Sequence, residues 1–319
     1  MKRRTFNQAV GASLALSPLH ALRAQTSTTK LIVGFAAGGS VDLTARALAD
    51  ALRDSLGRTV VVENRPGASG RFAPEAIRQA RPDGDMLMLV PHGPMTLFQW
   101  LHRQLRYDPV KDFTPIGRVC VVDYALTTGP ATPAKTILEY LQWAQNPANK
   151  AAYGSPGAGT IPHFIGQGLA QKTKTDIVHV PYKGAAPTMV DLMAGNLSLG
   201  VSPLPDAVEH HRNGRVRVLA TTGSQRNPVL PDVPTLKESG IDLVVDGWYG
   251  IYGPAGMADT LVQSLTRALE SAVLKQADFF AKNAMRGAYL RPDALAQLQR
   301  TEAIQWEPWV KASGFKAED

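Results

Sequence analysis

The property that most restricts how this chain can fold is an alternation. Short apolar runs take turns with stretches of helical spacing, and glycine- or proline-rich turns separate them. "KLIVGF" (30–35) reads as a short strand, and residues 41–57 carry Val41, Ala45, Leu48, Ala49, Leu52 and Leu56 on one helical face before a closing glycine. "TVVVEN", "RFAPEAIRQA" and "DMLMLV" then repeat the order strand, helix, strand between the turns "RPGASG" and "RPDG". A second series follows, with helices over 136–145, 161–172 and 186–193 and strands over 150–154, 176–180, 197–201 and 215–222. Strands and helices in alternation predict a parallel sheet with helices on both faces, the α/β class.

Two extended segments, "PIGRVCVVDYALTT" and "VVDGWYGIYGPAG", read as strands that cross between two lobes, and the tail from Ala258 reads as helical. The expected organisation is an export signal over 1–24, a first lobe of 25–120 with 247–319, and a second lobe of 121–246. Lobes that meet at their strand ends leave a cleft, and ligands of open α/β sheets bind outside the carboxyl ends of strands.

The segment "MKRRTFNQAVGASLALSPLHALRA" has a basic start, an apolar middle and Ala24 as a cleavage point, the pattern of an export signal. Arg3, Arg4 and Phe6 approximate a twin-arginine signal, so the general secretion and twin-arginine routes both stay open. The apolar run is interrupted by Pro18 and His20 and is shorter than the roughly 20 residues that span a bilayer. Its removal takes away Lys2, Arg3, Arg4 and Arg23, leaving 30 basic against 27 acidic residues, a formal charge of +3 rather than +7. With no basic run interleaved with aromatics, nucleic acid is not an expected partner. The single cysteine, Cys120, has no partner for an intramolecular disulfide.

Chemistry is expected at three strand-to-helix loops. "GFAAGGSVD" (34–42) places Gly38 and Gly39 in the turn and Ser40 as a helix cap, which suits either anion capture on backbone N–H groups or an ordinary tight turn. "YGSPGAGTIPHF" (153–164) has the glycine spacing of a nucleotide loop, but Thr160 stands where the lysine would be. Thr160 is read as a cap, Pro162 as a first-turn residue and His163 as a satisfied hydrogen-bonding side chain. "HVPYKGAAPTMVDLMAGN" (179–196) offers Tyr182 and Lys183 at a strand end, where Lys183 pairs with a carboxylate or stays solvated. The nucleophile elbow Gly-x-Ser-x-Gly is missing, although Ser69 precedes a glycine, and no His-Glu-x-x-His or clustered acids suggest a metal. No catalytic residue, cofactor or metal is therefore expected.

These residues also carry a resemblance. "GGSVDLTARALADAL", "VVVENRPGASG", "RPDGDMLML", "LRYDPVKDFTPIG", "YGSPGAGTIPHF", "VPYKGAAPTMVDLMAGN", "GRVRVLATTGSQRNPVLPDVPTLKESG" and "WYGIYGPAGM" cover nearly all of the chain past the signal, in order. The chain resembles the extracytoplasmic solute receptors of tripartite tricarboxylate transporters, also called Bug receptors. The resemblance implies a two-lobed, type II-like periplasmic binding protein that closes on a small carboxylate and delivers it to membrane permease subunits. The ligand would be a di- or tricarboxylate, an amino acid or an aromatic acid, and the protein a monomer without cofactor.

In that family backbone N–H groups of two facing loops hold the carboxylate. The matching positions here are Phe35, Ala37, Gly38 and Gly39 in one lobe and Ser155, Gly157, Gly159 and Thr160 in the other. Asn64, Pro66, Gly67, Ala68, His92, Tyr182, Lys183, Gly184 and Asp206 would form the rim. Gly38, Gly39, Gly157 and Gly159 are expected to face each other with free N–H groups. The first loop departs from the family's usual Pro-Phe-Pro-x-Gly-Gly, reading "GFAAGG". A sensor that presents the solute to a membrane signalling protein is the alternative role, and a hydrolase in the same cleft a more distant one.

Overall fold

The computed structural model describes residues 28–317, so the export signal read at 1–24 lies outside the described residues. The strands are β1 (Thr28–Val33), β2 (Thr59–Asn64), β3 (Met86–Pro91), β4 (Phe113–Thr128), β5 (Ala152–Ser155), β6 (Val178–Pro181), β7 (Leu199–Pro203), β8 (Arg217–Thr221), β9 (Asp246–Pro254) and β10 (Met285–Leu290). They form two ladders that share β4. The first runs β2-β1-β3-β9-β4 with β10 on the far side of β4, and the second runs β4-β7-β5-β6 with β8 also on β4. At 16 residues β4 is long enough to serve both: Asp123 still pairs with Asp246 of β9, and Tyr124 already pairs with Pro203 of β7.

Helical elements cover both ladders, giving a mixed α/β fold of two lobes that share β4, with a cleft between them. The parallel sheet expected from the alternation is present in part. β1, β2 and β3 pair in parallel, as do β5, β6 and β7, whereas β4, β9 and β10 are antiparallel to their neighbours. The crossing strands enter each ladder from the other rather than through a βαβ crossover, so nothing makes them parallel. The tail is also not wholly helical. Between the helices Asp259–Lys275 and Ala277–Lys282 and the C-terminal helix Pro292–Ser313, β10 lies against β4, with Gly287 so close to Phe280 that a Cβ would meet its ring at 2.9 Å.

Side-chain alternation along β1 distributes the core. Leu31 and Val33 join Leu48, Leu52, Leu265 and Leu269 on one face, while Ile32 joins Met88, Trp248 and Tyr252 on the other. The second ladder is likewise covered on both faces, by Tyr153, Ile165 and Leu169 on one and by Leu192 and Val208 on the other. The C-terminal helix places Leu295 in the first ladder's core and Trp306 and Val310 in the second's. Cys120 is wholly buried between Gly117 and Val122 on β4, and burial pushes its thiol up to about 12.

The helix Ser40–Leu56 forms because Ala45, Leu48 and Leu52 share its buried face, and it ends at Gly57, whose left-handed φ of 64° lets its N–H return to Arg53 O. This helix and the helix Ile161–Thr173 both begin at the cleft.

Candidate ligand cleft

Every loop singled out in the sequence follows the carboxyl end of a strand: 34–39 after β1, 65–71 after β2, His92 after β3, 156–160 after β5, 182–184 after β6 and 204–206 after β7. Between them lies a cavity of about 60 Å³, walled by Phe35, Ser40, His92, Tyr124, Thr160 and Asp206 among others. A second hollow of about 320 Å³ shares Phe35, Ser69 and Pro156 as walls and extends to Gly67, Ala68, Gly157, Tyr182 and Lys183.

Direct bonds close the cleft from both sides. Ser69 Oγ donates to Ala158 O at 2.6 Å. On the other side the Ser40 N–H donates to Asp206 Oδ1 at 2.7 Å, and the Ser40 hydroxyl to Asp206 Oδ2 at 3.2 Å. The Tyr249 hydroxyl, 2.8 Å away, donates to Ser40 Oγ. Burial pushes the Asp206 carboxyl up to about 6 against the two Ser40 hydrogen bonds, which favour its charged form.

The first loop is braced by an acid of its own helix, Asp42. Asp42 accepts from the Gly38 N–H at 3.0 Å, from Arg46 Nε at 3.0 Å and from Asn64 Nδ2 at 2.9 Å, and Asn64 also donates to Phe35 O. Burial alone would raise the Asp42 carboxyl, but the hydrogen bonds from Arg46, Gly38 and Asn64 together hold it below the ordinary range.

Neutral groups brace the second loop. Gly157 O accepts from the hydroxyls of Ser155 at 3.0 Å and Thr160 at 2.7 Å, and the Gly159 N–H donates to His163 Nδ1 at 3.1 Å. An accepting Nδ1 makes His163 neutral, with its proton on Nε2. The His163 ring stacks on His179 at 4.0 Å, and His179 Nε2 lies 2.8 Å from Ser155 Oγ. Burial pushes His163 down to about 4; burial, then the neighbouring His163, pushes His179 down to about 3. Ser155 is wholly buried and bonded to Gly157 O, so this serine–histidine pair shapes the loop. On the far wall His92 Nε2 lies 2.9 Å from the Tyr124 hydroxyl, and His92 Nδ1 lies 3.0 Å from Glu302, which also accepts from Trp248.

Of the residues named from the sequence, Phe35, Gly39, His92, Thr160 and Asp206 line the cavity. Gly67, Ala68, Gly157, Tyr182 and Lys183 line the adjoining hollow. Asn64 acts from behind, through Phe35 and Asp42, and Gly184 donates to Pro156 O at 2.9 Å. Ala37, Gly38 and Pro66 are exposed outside both hollows, and Ser155 and Gly159 are buried beneath the second loop.

The four expected free N–H groups are not all free, since those of Gly38 and Gly159 go to Asp42 and His163. A Cβ on Gly157 would meet Ser69 Oγ at 2.6 Å, whereas one on Gly39 would lie 3.8 Å from Asp206 Oδ1.

Sequence reasoning passed over Ser69, Tyr124 and Tyr249 as cleft residues and read Ser40 only as a cap. Ser40 is instead the first helical residue, after Gly39 as cap. A signal for Ser69 was available: Ala68 and Ser69 have φ of 46° and 55°, and the glycines on either side in "GASG" mark a left-handed turn. Tyr124 and Tyr249 lie on crossing strands, where apolar continuity conceals a functional hydroxyl.

Two facing ladders with loops at their strand ends, closing on a small interior cavity, define the class of periplasmic binding proteins. Within it the chain belongs to the tripartite tricarboxylate transporter family of receptors, which matches residues 44–315. It is 30% identical to the protein BugT of Bordetella pertussis over 291 residues, 90% of this chain and 89% of that one. The structure of the periplasmic binding protein BugD superposes with a TM-score of 0.86 at 30% identity, covering 91% of this chain and 99% of that one. MatC of Rhodopseudomonas palustris with bound malate superposes with a TM-score of 0.81 at 28% identity, covering 89% and 98%. Among the described residues no helix is long and apolar enough to cross a membrane, and no three His, Cys, Asp or Glu side chains are grouped to hold a metal ion.

Proposed function

We propose that the protein is a periplasmic receptor that captures a small carboxylate-bearing solute between loops 34–39 and 156–160 and delivers it to the permease subunits of a tripartite tricarboxylate-type transporter. One observation carries the reading. The helix Ile161–Thr173 opens on the cavity through Thr160, Ile161 and Pro162, and no carboxylate among the cavity-lining residues bonds to its first turn. Its Ile161 and His163 N–H groups have no partner inside the helix, and its dipole favours an anion there. Neutral His163 and His179 shape the loop without adding charge. The bound malate of MatC supports a carboxylate as ligand.

The same geometry speaks for binding without chemistry. The serine hydroxyls on the cavity wall are spent on Asp206 and on Ala158 O, and none meets a histidine. The lobes would be 25–120 with 247–319 and 121–246, moving about β4 where it changes ladder and about the start of β9. Export to the periplasm by either route and a monomeric state complete the reading.

A thermal-shift screen of residues 25–319 against mono-, di- and tricarboxylates, amino acids and aromatic acids tests it. A ligand that binds only the folded state adds about 2.7 kcal/mol at a hundredfold excess over Kd. The expected result is stabilisation by at least one carboxylate and none by its amide. Stabilisation by neutral sugars alone would overturn the proposal.

A further inference from the structure

The helix Ser40–Leu56 also begins at the cavity, yet the place where a ligand anion would sit is taken by the protein's own carboxylate. Asp206, 166 residues away on the helix Pro205–Arg212 of the facing ladder, rests one oxygen on the Ser40 N–H and the other on the Ser40 hydroxyl. A carboxylate oxygen accepts about two hydrogen bonds, so acceptor capacity remains on both. Among the described residues no lysine or arginine lines the cavity. Its ionisable groups are Asp42, His92, Tyr124, Asp206 and Tyr249, and Asp42 is already engaged by Arg46. Much of the remaining wall is apolar, including Phe35, Val41, Phe98 and Ile161. The two ends of the cleft are thus of opposite character, an acceptor end at Asp206 and a donor end at Ile161.

We propose that Asp206 sets the ligand class. On the carboxylate-receptor reading above, the cleft takes a solute with its carboxylate at the Ile161 end and a hydrogen-bond donor, an ammonium or a hydroxyl, at the Asp206 end, and it disfavours a second carboxylate there. Burial of Asp206 strengthens the preference, since a charged group taken from water without a cationic partner gains most from a ligand that supplies one. A solute with carboxylates at both ends brings a second anion against Asp206 in a wall with no cation to offset it.

Calorimetry at pH 7.5 on residues 25–319 and on Asp206→Asn, using butyrate, 2- and 4-aminobutyrate, 4-hydroxybutyrate and succinate, separates the readings. These probes share a four-carbon chain and differ in the polar group at carbon 4 or, in 2-aminobutyrate, at the carbon beside the carboxylate. The better aminobutyrate should bind the native protein at least tenfold more tightly than succinate. Asp206→Asn should narrow that ratio by tenfold or more, the amine losing affinity and succinate gaining it. Succinate as the tightest ligand of both proteins, with an unchanged ratio, would overturn the role of Asp206 and leave the carboxylate receptor standing. No binding of any carboxylate to the native protein would overturn both. The native ratio decides by itself if the variant does not fold.

Discussion

The two helix N-termini at the cleft follow similar glycine turns, yet the protein treats them oppositely. At Ser40 it supplies two carboxylates, Asp206 on the Ser40 N–H and Asp42 on the Gly38 N–H. At Ile161 it supplies neutral imidazoles and hydroxyls that shape the loop and leave the helix dipole uncompensated. Glycine in a strand-to-helix turn therefore marks a place where an anion can sit, and the rest of the fold decides whose anion it is.

The largest expected effect breaks the Ile161 side. A Cβ at Gly157 would lie 2.6 Å from Ser69 Oγ and 3.3 Å from Ser69 Cα, so the clash is with the facing loop and arises in the closed cleft. Gly157→Val should stay folded by circular dichroism and lose at least about a hundredfold in affinity for the best carboxylate, about 2.7 kcal/mol. Unchanged calorimetric affinity would show that closure does not bring these loops together.

An intermediate effect sharpens the Ser40 side through pH. Folding moves the Asp206 carboxyl from its ordinary 3.8 to about 6, so the folded chain holds this proton more tightly than the unfolded one. The group then favours folding below its unfolded pKa, and that advantage is lost as pH rises through the window to about 6. Asp206→Asn has no such titration. Its stability relative to the native protein, from urea unfolding without ligand, should rise across that window by on the order of 2 kcal/mol and level off above it. A difference that does not vary with pH would place the Asp206 charge in ordinary solvent.

The smallest effect belongs to Gly39. Its φ of −84° suits any residue, and a Cβ there would find Asp206 Oδ1 at 3.8 Å as its nearest neighbour. Gly39→Ala should change affinity by less than about threefold, under 1 kcal/mol. A loss beyond tenfold would mean that the ligand, rather than Asp206, approaches this backbone.

The elements were legible because their signals are local. Helical spacing in residues 41–57 foretold the helix Ser40–Leu56, and Pro162 after Thr160 foretold the start of Ile161–Thr173. The loops could be located for the same reason, since a turn's glycines and the strand before it lie within a few residues of one another. β10 escaped because "MRGAYL" has the length of one helical turn and a half and sits between two helices. Its strand state comes from pairing with β4 more than 160 positions earlier, as in Met285 opposite Val122.

What the chain determined by itself was thus a set of strands, helices and anion-prone turns, all governed by interactions across a few residues. What the tertiary structure decided was their electrical meaning. Asp206 reaches Ser40 only because β4 leaves one ladder at Asp123 and enters the other at Tyr124, turning β7 and the helix after it toward the first loop. Spacing along the chain carries no trace of a bond between residues 166 apart, since such a bond depends on how two sheets are set against each other.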